Sequence, residues 1–166
     1  MPDQSWLVYC QSEIQLEELY EKLIDSEISP NKYHSLMTTN QRDIAMKLFR
    51  NKGGVILSMK CLDEGVDIPS VDCILFTEPK RSKVDIVQAA GRAMRISTAT
   101  GKKFGYIIVP VIVPYNISFE EFTDTTEFSQ IITTIFYRLS IKLFFIPFRG
   151  SAQLYFIDIF FLLSGF

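Results

Sequence analysis

The sequence predicts an α/β domain built on a mostly parallel sheet flanked by helices. Three observations carry this prediction. Short apolar runs recur at residues 6–10, 55–59, 73–77 and 105–113, and most are too continuously apolar for strands with one wet face. Segments of helical period lie between several of these runs. The residues that start and stop helices (Ser, Thr and Gly) fall at the seams.

In chain order, residues 6–10 (WLVYC) read as a buried strand. Ser12 with Gln15 three residues on is the start signal of a helix, along which Leu16, Leu19, Tyr20 and Leu23 recur at i, i+3, i+4 and i+7 to about Glu27. Ser29, Pro30 and Asn31 turn the chain into a second strand at 32–36. Thr38 with Gln41 caps a second helix carrying Ile44, Ala45, Leu48 and Phe49, and Gly53 and Gly54 end it. Residues 55–59 (VILSM) and 73–77 (CILFT) give the third and fourth strands, joined by a loop holding Gly65 and Pro69. Ser82 with Asp85 opens a third helix, and residues 105–113 (GYIIVPVIV) form the last strand.

Composition sets outer bounds. The chain has 166 residues, 48% hydrophobic and 22% charged, with a net charge of −2. That suits one folded domain and excludes a uniformly basic nucleic-acid coat, though not a local basic patch. Cys10, Cys61 and Cys73 lie far apart and His34 is the one histidine. No metal site or disulfide framework is expected, and a reducing cytoplasm suits the pattern. The first ten residues lack the features of a secretion signal.

The chain is not uniform. Eighteen of the 19 acidic residues lie within residues 1–128, whereas eight of the 14 phenylalanines lie in 136–166. The domain is therefore expected to cover 1–115, with 116–135 as a linker or the start of a next segment and 136–166 as a Phe-rich tail, either disordered or non-native translation. Arg138, Lys142, Arg149 and Asp158 interrupt the tail, and Pro147 and Gly150 break helix in it. It makes a poor membrane span, so no membrane partner is expected.

In open parallel sheets, ligands sit at the carboxyl ends of the strands. This directs attention to Gln11 and Ser12, to residues 58–69, and to the helix after Ser82. On that helix Gln88, Arg92 and Arg95 fall at i, i+4 and i+7, within an arc of roughly 60°. Val84, Val87, Gly91 and Met94 make a neighbouring stripe able to pack on the sheet, and the intervening Ala89, Ala90, Gly91 and Ala93 admit another backbone. The two guanidiniums are expected to project, and two permanently charged forks suit a triphosphate. Alone, the pair reads as a solvated basic face. The segment 62–69 (LDEGVDIP) tilts the balance. Gly65 frees the backbone, Pro69 stiffens the exit, and Asp67 between them can accept hydrogen bonds from a sugar hydroxyl or pair with an arginine. Alone, this segment also reads as an acidic surface turn.

Together these stretches resemble the second RecA-like domain of superfamily 2 helicases. Residues 5–12 (SWLVYCQS) are similar to that family's motif IV, 55–72 (VILSMKCLDEGVDIPSVD) to motif V and 88–95 (QAAGRAMR) to motif VI. Residues 34–50 are similar to the helix between motifs IV and V, with Arg42 and Phe49 at its usual Arg and Phe. The form EGVDIP and the ending at 101–114 look most like helicases of restriction-modification systems. The resemblance implies a RecA-like fold in which Arg92 and Arg95 are arginine fingers and Gln88 orients the phosphates. Gly65 and Asp67 would face the ribose and the cleft, and Gln11, Ser12, Ser58 and Lys60 would lie along a DNA backbone. ATP and Mg²⁺ would be bound with a first RecA-like half, in cis or in trans. The sequence holds neither a GxxxxGK[ST] loop nor a DExH/D box. The chain is thus expected to be a fragment inactive alone, or else a non-catalytic scaffold for nucleic acid or a partner ATPase.

Overall fold

The computed structural model describes residues 4–59, 71–79, 82–94, 105–113, 117, 119–139, 142–148 and 153–160. Its first half alternates strand and helix: β1 (Ser5–Cys10), α1 (Glu13–Asp25), β2 (Asn31–His34), α2 (Thr39–Lys52), β3 (Gly54–Met59), β4 (Cys73–Phe76), α3 (Lys83–Met94) and β5 (Tyr106–Ile108). The five strands run parallel in the order β2-β3-β1-β4-β5. The mostly parallel sheet flanked by helices is therefore present as expected.

Local chemistry explains the boundaries. Ser12 Oγ accepts the Gln15 amide, and Thr38 and Gln41 cap each other reciprocally at the start of α2. Gly53 ends α2 at φ +67°, a left-handed backbone that glycine adopts without strain. The second strand, expected over 32–36, stops at His34. The Met37 amide donates to the His34 carbonyl in a turn that leaves Leu36 exposed.

The two faces of the sheet are covered unequally. On one face Val8, Cys10 and Leu57 meet α1 through Leu16, with Leu19 and Leu23 partly buried beside it. An apolar groove of about 350 Å³ lies toward the amino end of this face, lined by Trp6, Val8, Leu57, Leu75, Leu19 and Leu23 among others. On the other face Leu7, Tyr9, Ile56, Ile74, Phe76 and Ile107 form one core with α2 and α3.

That core extends into the segment expected to be a linker. Residues 116–135 contribute α4 (Phe119–Thr125) and most of α5 (Ser129–Leu139), whose Phe122, Ile131, Ile132 and Ile135 are buried with Ile86, Ala89, Ala90 and Ala93 of α3. The periodicity of this segment belongs to the domain, so its core does not stop at 115.

The expected single strand at 105–113 is broken. It forms β5, which pairs with β4 and a later strand, and then, after Val109, β6 (Pro110–Val113), which pairs with that later strand starting from Pro110 opposite Phe156. Beyond α5 come β7 (Lys142–Phe148) and β8 (Gln153–Phe160), paired antiparallel to each other. β8 also pairs antiparallel with β5 and β6. Among the described residues no helix is long and apolar enough to cross a membrane.

Candidate functional site

The carboxyl ends of β1, β3 and β4 meet the start of α1 and the flank of α3. Gln11 and Ser12, both exposed, carry the chain from β1 into α1. Gln15 reaches back so that its Oε1 accepts the Gln11 amide at 2.8 Å. The Thr77 hydroxyl, just past β4, lies 2.6 Å from the Tyr9 carbonyl and 3.2 Å from the same Gln15 oxygen. With one proton to donate, it serves one of these acceptors at a time. The result is a polar clasp joining the β1–α1 turn to the end of β4. Gln15 reads as a cap from sequence, but its bridging role depends on a residue 62 positions away.

Arg92 is the centre of the edge. The residue is only 9% exposed, and its Nη1 donates to the Tyr9 hydroxyl at 2.7 Å. Tyr9 is 2% exposed and its ring stacks on Phe76, with centroids 5.4 Å apart and planes 10° from parallel. The expected projecting guanidinium is thus corrected to one tucked against the sheet. The cause lies in α3, whose buried face is Ile86, Ala89, Ala90 and Ala93, not the stripe containing Val84, which is 63% exposed. Small residues sink this helix into the core and bring Arg92 down with it. The close approach expected of the small residues occurs at Ala93: a Cβ on Gly105 would lie 2.1 Å from the Ala93 carbonyl oxygen, whereas one on Gly91 would meet nothing within 4 Å.

A permanently charged guanidinium so deeply placed calls for an anion, because burying an unpaired charge is costly. Among the described residues its hydrogen-bond partner is a neutral phenol, and no carboxylate forms an ion pair with Arg92. Among the described residues, Arg92 thus brings a buried positive charge with a neutral partner to the ligand-binding edge of a parallel sheet.

The other expected residues divide. Gln88 lies one turn before Arg92 and is exposed. Ser58 stands in register beside Tyr9 and Tyr33. It is fully buried, and its hydroxyl has no partner among the described residues. Such a hydroxyl is shut off from solvent, unlike Gln11 and Ser12. Lys60, Gly65, Asp67 and Arg95 lie outside the described residues. Tyr9 is the functional candidate that sequence reasoning missed. The available signal was a phenol at the end of an otherwise apolar strand, since a buried tyrosine hydroxyl needs a partner. Cys10 is inert by contrast: burial, and to a lesser extent the Glu78 carboxylate, push its thiol up from 9.0 to about 11.

A family model for the helicase conserved C-terminal domain matches residues 1–97, more than half of the chain. The chain belongs to that family. Among relatives of this helicase domain, a putative ATP-dependent RNA helicase of Methanocaldococcus jannaschii is 40% identical over 65 residues, covering 39% of this chain and 8% of that protein. A probable helicase of African swine fever virus (strain Badajoz 1971 Vero-adapted) is 24% identical over 140 residues, covering 81% of this chain and 16% of that protein. The chain thus spans a small part of the curated relatives it matches. Among solved structures, the C-terminal domain of the DEAD-box protein Dbp5 superposes with a TM-score of 0.63 at 20% identity, over 86% of this chain and 74% of that one. This likeness shows the RecA-like fold. The ATP-dependent type ISP restriction-modification enzyme LlaBIII, solved bound to DNA, is 26% identical with a TM-score of 0.56, over 81% of this chain and 10% of that one.

Proposed function

We propose that this helicase domain is the C-terminal half of an ATP-dependent DNA helicase or translocase, completing an ATP site across a cleft. The observation that carries the reading is the buried Arg92 guanidinium at the carboxyl edge of the sheet, whose partner among the described residues is a neutral phenol. In phosphoryl transfer an arginine placed this way neutralises charge that builds on the transferring group. Arg95, one turn further along the sequence, is the second finger, Gln88 orients the phosphates, and Gly65 and Asp67 face the ribose. The γ-phosphate cradle, the Mg²⁺ ligands and the attacking water come from a first RecA-like half, since this sequence has no GxxxxGK[ST] loop.

The nucleic-acid strand runs past Gln11, Ser12 and Lys60, whose amide, hydroxyl and amine hold phosphates without reading bases. Ser58 supports that edge from beneath. The DNA-bound restriction-modification enzyme favours DNA as the track. The archaeal relative named as an RNA helicase favours RNA as a second reading.

The test is ATP turnover by this chain assembled with a first RecA-like half, in cis or in trans. Arg92→Ala and Arg95→Ala are each expected to lower kcat by ~10³–10⁵-fold with ATP binding largely retained. Stimulation by single- or double-stranded DNA, with RNA inert, supports the DNA reading, and the reverse supports RNA. Normal turnover in both variants contradicts the arginine-finger assignment and leaves a scaffold role.

A further inference from the structure

A sheet ends in strands with one unpaired side, and β2 is such an end: among the described residues its neighbour is β3 alone. A strand turns alternate N–H and C=O groups to either side, so half of those of Asn31–His34 face away from β3 without a ladder partner. Open edges are commonly blocked by a lysine. Here Lys32 is drawn aside: it pairs with Glu17 of α1, and its Nζ lies 3.9 Å from the centre of the Tyr20 ring.

The edge lies at the base of a cleft. α1 and α2 stand on opposite faces of the sheet. Between them along β2 is an open cavity of about 280 Å³, with Tyr20 on one wall, Met37, Ile44 and Leu48 on the other, and Asn31 and Lys32 at the base. Ile44 is 50% and Leu48 41% exposed, an apolar pair at i and i+4 on α2 left in water. The walls differ in charge. α1 carries five carboxylates against one lysine, whereas α2 carries four cationic residues against one aspartate. Glu13, Glu17 and Glu21 recur every four residues on the flank of α1 that carries Tyr20, and among the described residues Glu17 is the one of them in an ion pair.

From this geometry we infer that the β2 edge is a docking site for an extended segment of a partner protein, which adds as a further strand and alternates basic with large apolar side chains. An extended backbone matches a row of strand donors and acceptors, whereas a helix has spent its own on itself. Side chains of an added strand point alternately to the two faces of the sheet. Those on the α1 face meet Glu13 and Glu21, which suits lysine or arginine. Those on the α2 face meet Ile44 and Leu48, which suits valine, isoleucine or leucine, and the cationic α2 keeps basic side chains on the α1 face. The cavity is smaller than the roughly 300–1,000 Å³ of small-molecule sites, but it takes side chains from a strand that runs past it. A second copy of this chain fits poorly, because pairing β2 with β2 about a two-fold axis sets two acidic α1 flanks against each other. The site is separate from Arg92 and does not rest on the ATP reading.

The test uses the 166-residue chain and a fluorescein-labelled peptide of about eight residues alternating lysine and valine. A control peptide of the same composition gathers the lysines in one half. Fluorescence anisotropy is expected to show the alternating peptide binding at least ~10-fold tighter than the control. Amide hydrogen exchange is expected to slow within residues 31–34 when it binds. Ile44→Asp, at an exposed position that leaves the core intact, is expected to weaken binding roughly 10-fold or more, and Glu21→Lys about two- to fivefold. Equal binding of the two peptides shows attraction by charge alone and overturns the inference. So does binding without protection at 31–34, or no saturation below ~1 mM. Protection of 31–34 that rises with protein concentration in the absence of peptide assigns the edge to a second copy and overturns it as well.

Discussion

Helices α1 and α3 both begin on a serine cap and both lie against the same parallel sheet, yet they are built for different depths. α1 is amphipathic in the ordinary way: Leu16 is its buried residue, Leu19, Tyr20 and Leu23 lie half in, and Ile14 stands in solvent at 73% exposure. α3 replaces large apolar side chains with Ala89, Ala90 and Ala93 and is enclosed between the sheet and α5. Small residues let a helix axis approach closely, so polar groups on its flank come down with it. On that flank Arg92 is buried against Tyr9, while Gln88, one turn earlier, stays exposed. The lesson is that a stripe of alanines can position a charged group that a leucine stripe would hold too high.

The sharpest break in this contrast is Gly105→Ala. The new methyl would sit 2.1 Å from the Ala93 carbonyl oxygen, and backbone cannot yield as a side-chain end can. A loss of more than about 3 kcal/mol is expected in urea denaturation, above the usual cost of overpacking. Leu16→Ala tests the shallow helix. It removes the fully buried anchor of α1, but the half-exposed neighbours can close in, so about 2–3 kcal/mol is expected.

Alkaline titration probes the α1 face in another way. Burial and Glu78 hold the Cys10 thiol protonated up to about pH 11, whereas the unfolded chain ionises it near 9.0. A folded-state value above the unfolded one means that this contribution is complete below pH 9 and is lost as pH rises toward 11. A decline of up to about 2 kcal/mol is expected over that window. Cys10→Ala should flatten it, and an unchanged slope would place its origin elsewhere. The smallest effect is on the open side of α3. Gly91→Ala meets no atom within 4 Å and raises helix propensity, so the isolated chain should gain up to about 1 kcal/mol. A loss instead would show that α3 is packed on that side too.

Much of the fold was legible because its signals are local. Ser12, Thr38 and Gly53 act within a few residues of themselves, and each cap or stop stands where the sequence places it. The breaks came where the deciding partner is remote. Nothing near Pro110 shows that β5 and β6 pair differently, and nothing near Phe122 or Ile131 shows that α3 has left room for them. The candidate site divides the same way. The helical spacing of Gln88 and Arg92 was readable. The Tyr9 hydroxyl that receives Arg92 was not, because a hydrogen bond across 83 residues leaves no periodic trace. The Val84 stripe is not the buried face: α3 turns Ile86 and three alanines inward and leaves Val84 63% exposed, a choice between two apolar faces that depends on α5 packing against α3.

The central claim is that Arg92 completes an ATP site from across a cleft. The most direct measurement is a crystal structure of this chain assembled with a first RecA-like half, ADP, Mg²⁺ and a fluoride mimic of the transferring phosphoryl group. The account predicts an Arg92 guanidinium nitrogen within about 2.7–2.9 Å of the mimic, the range of charge-assisted hydrogen bonds, with Nη1 still on the Tyr9 hydroxyl. A closed complex in which Arg92 stays clear of the phosphates and another residue takes that place would contradict it.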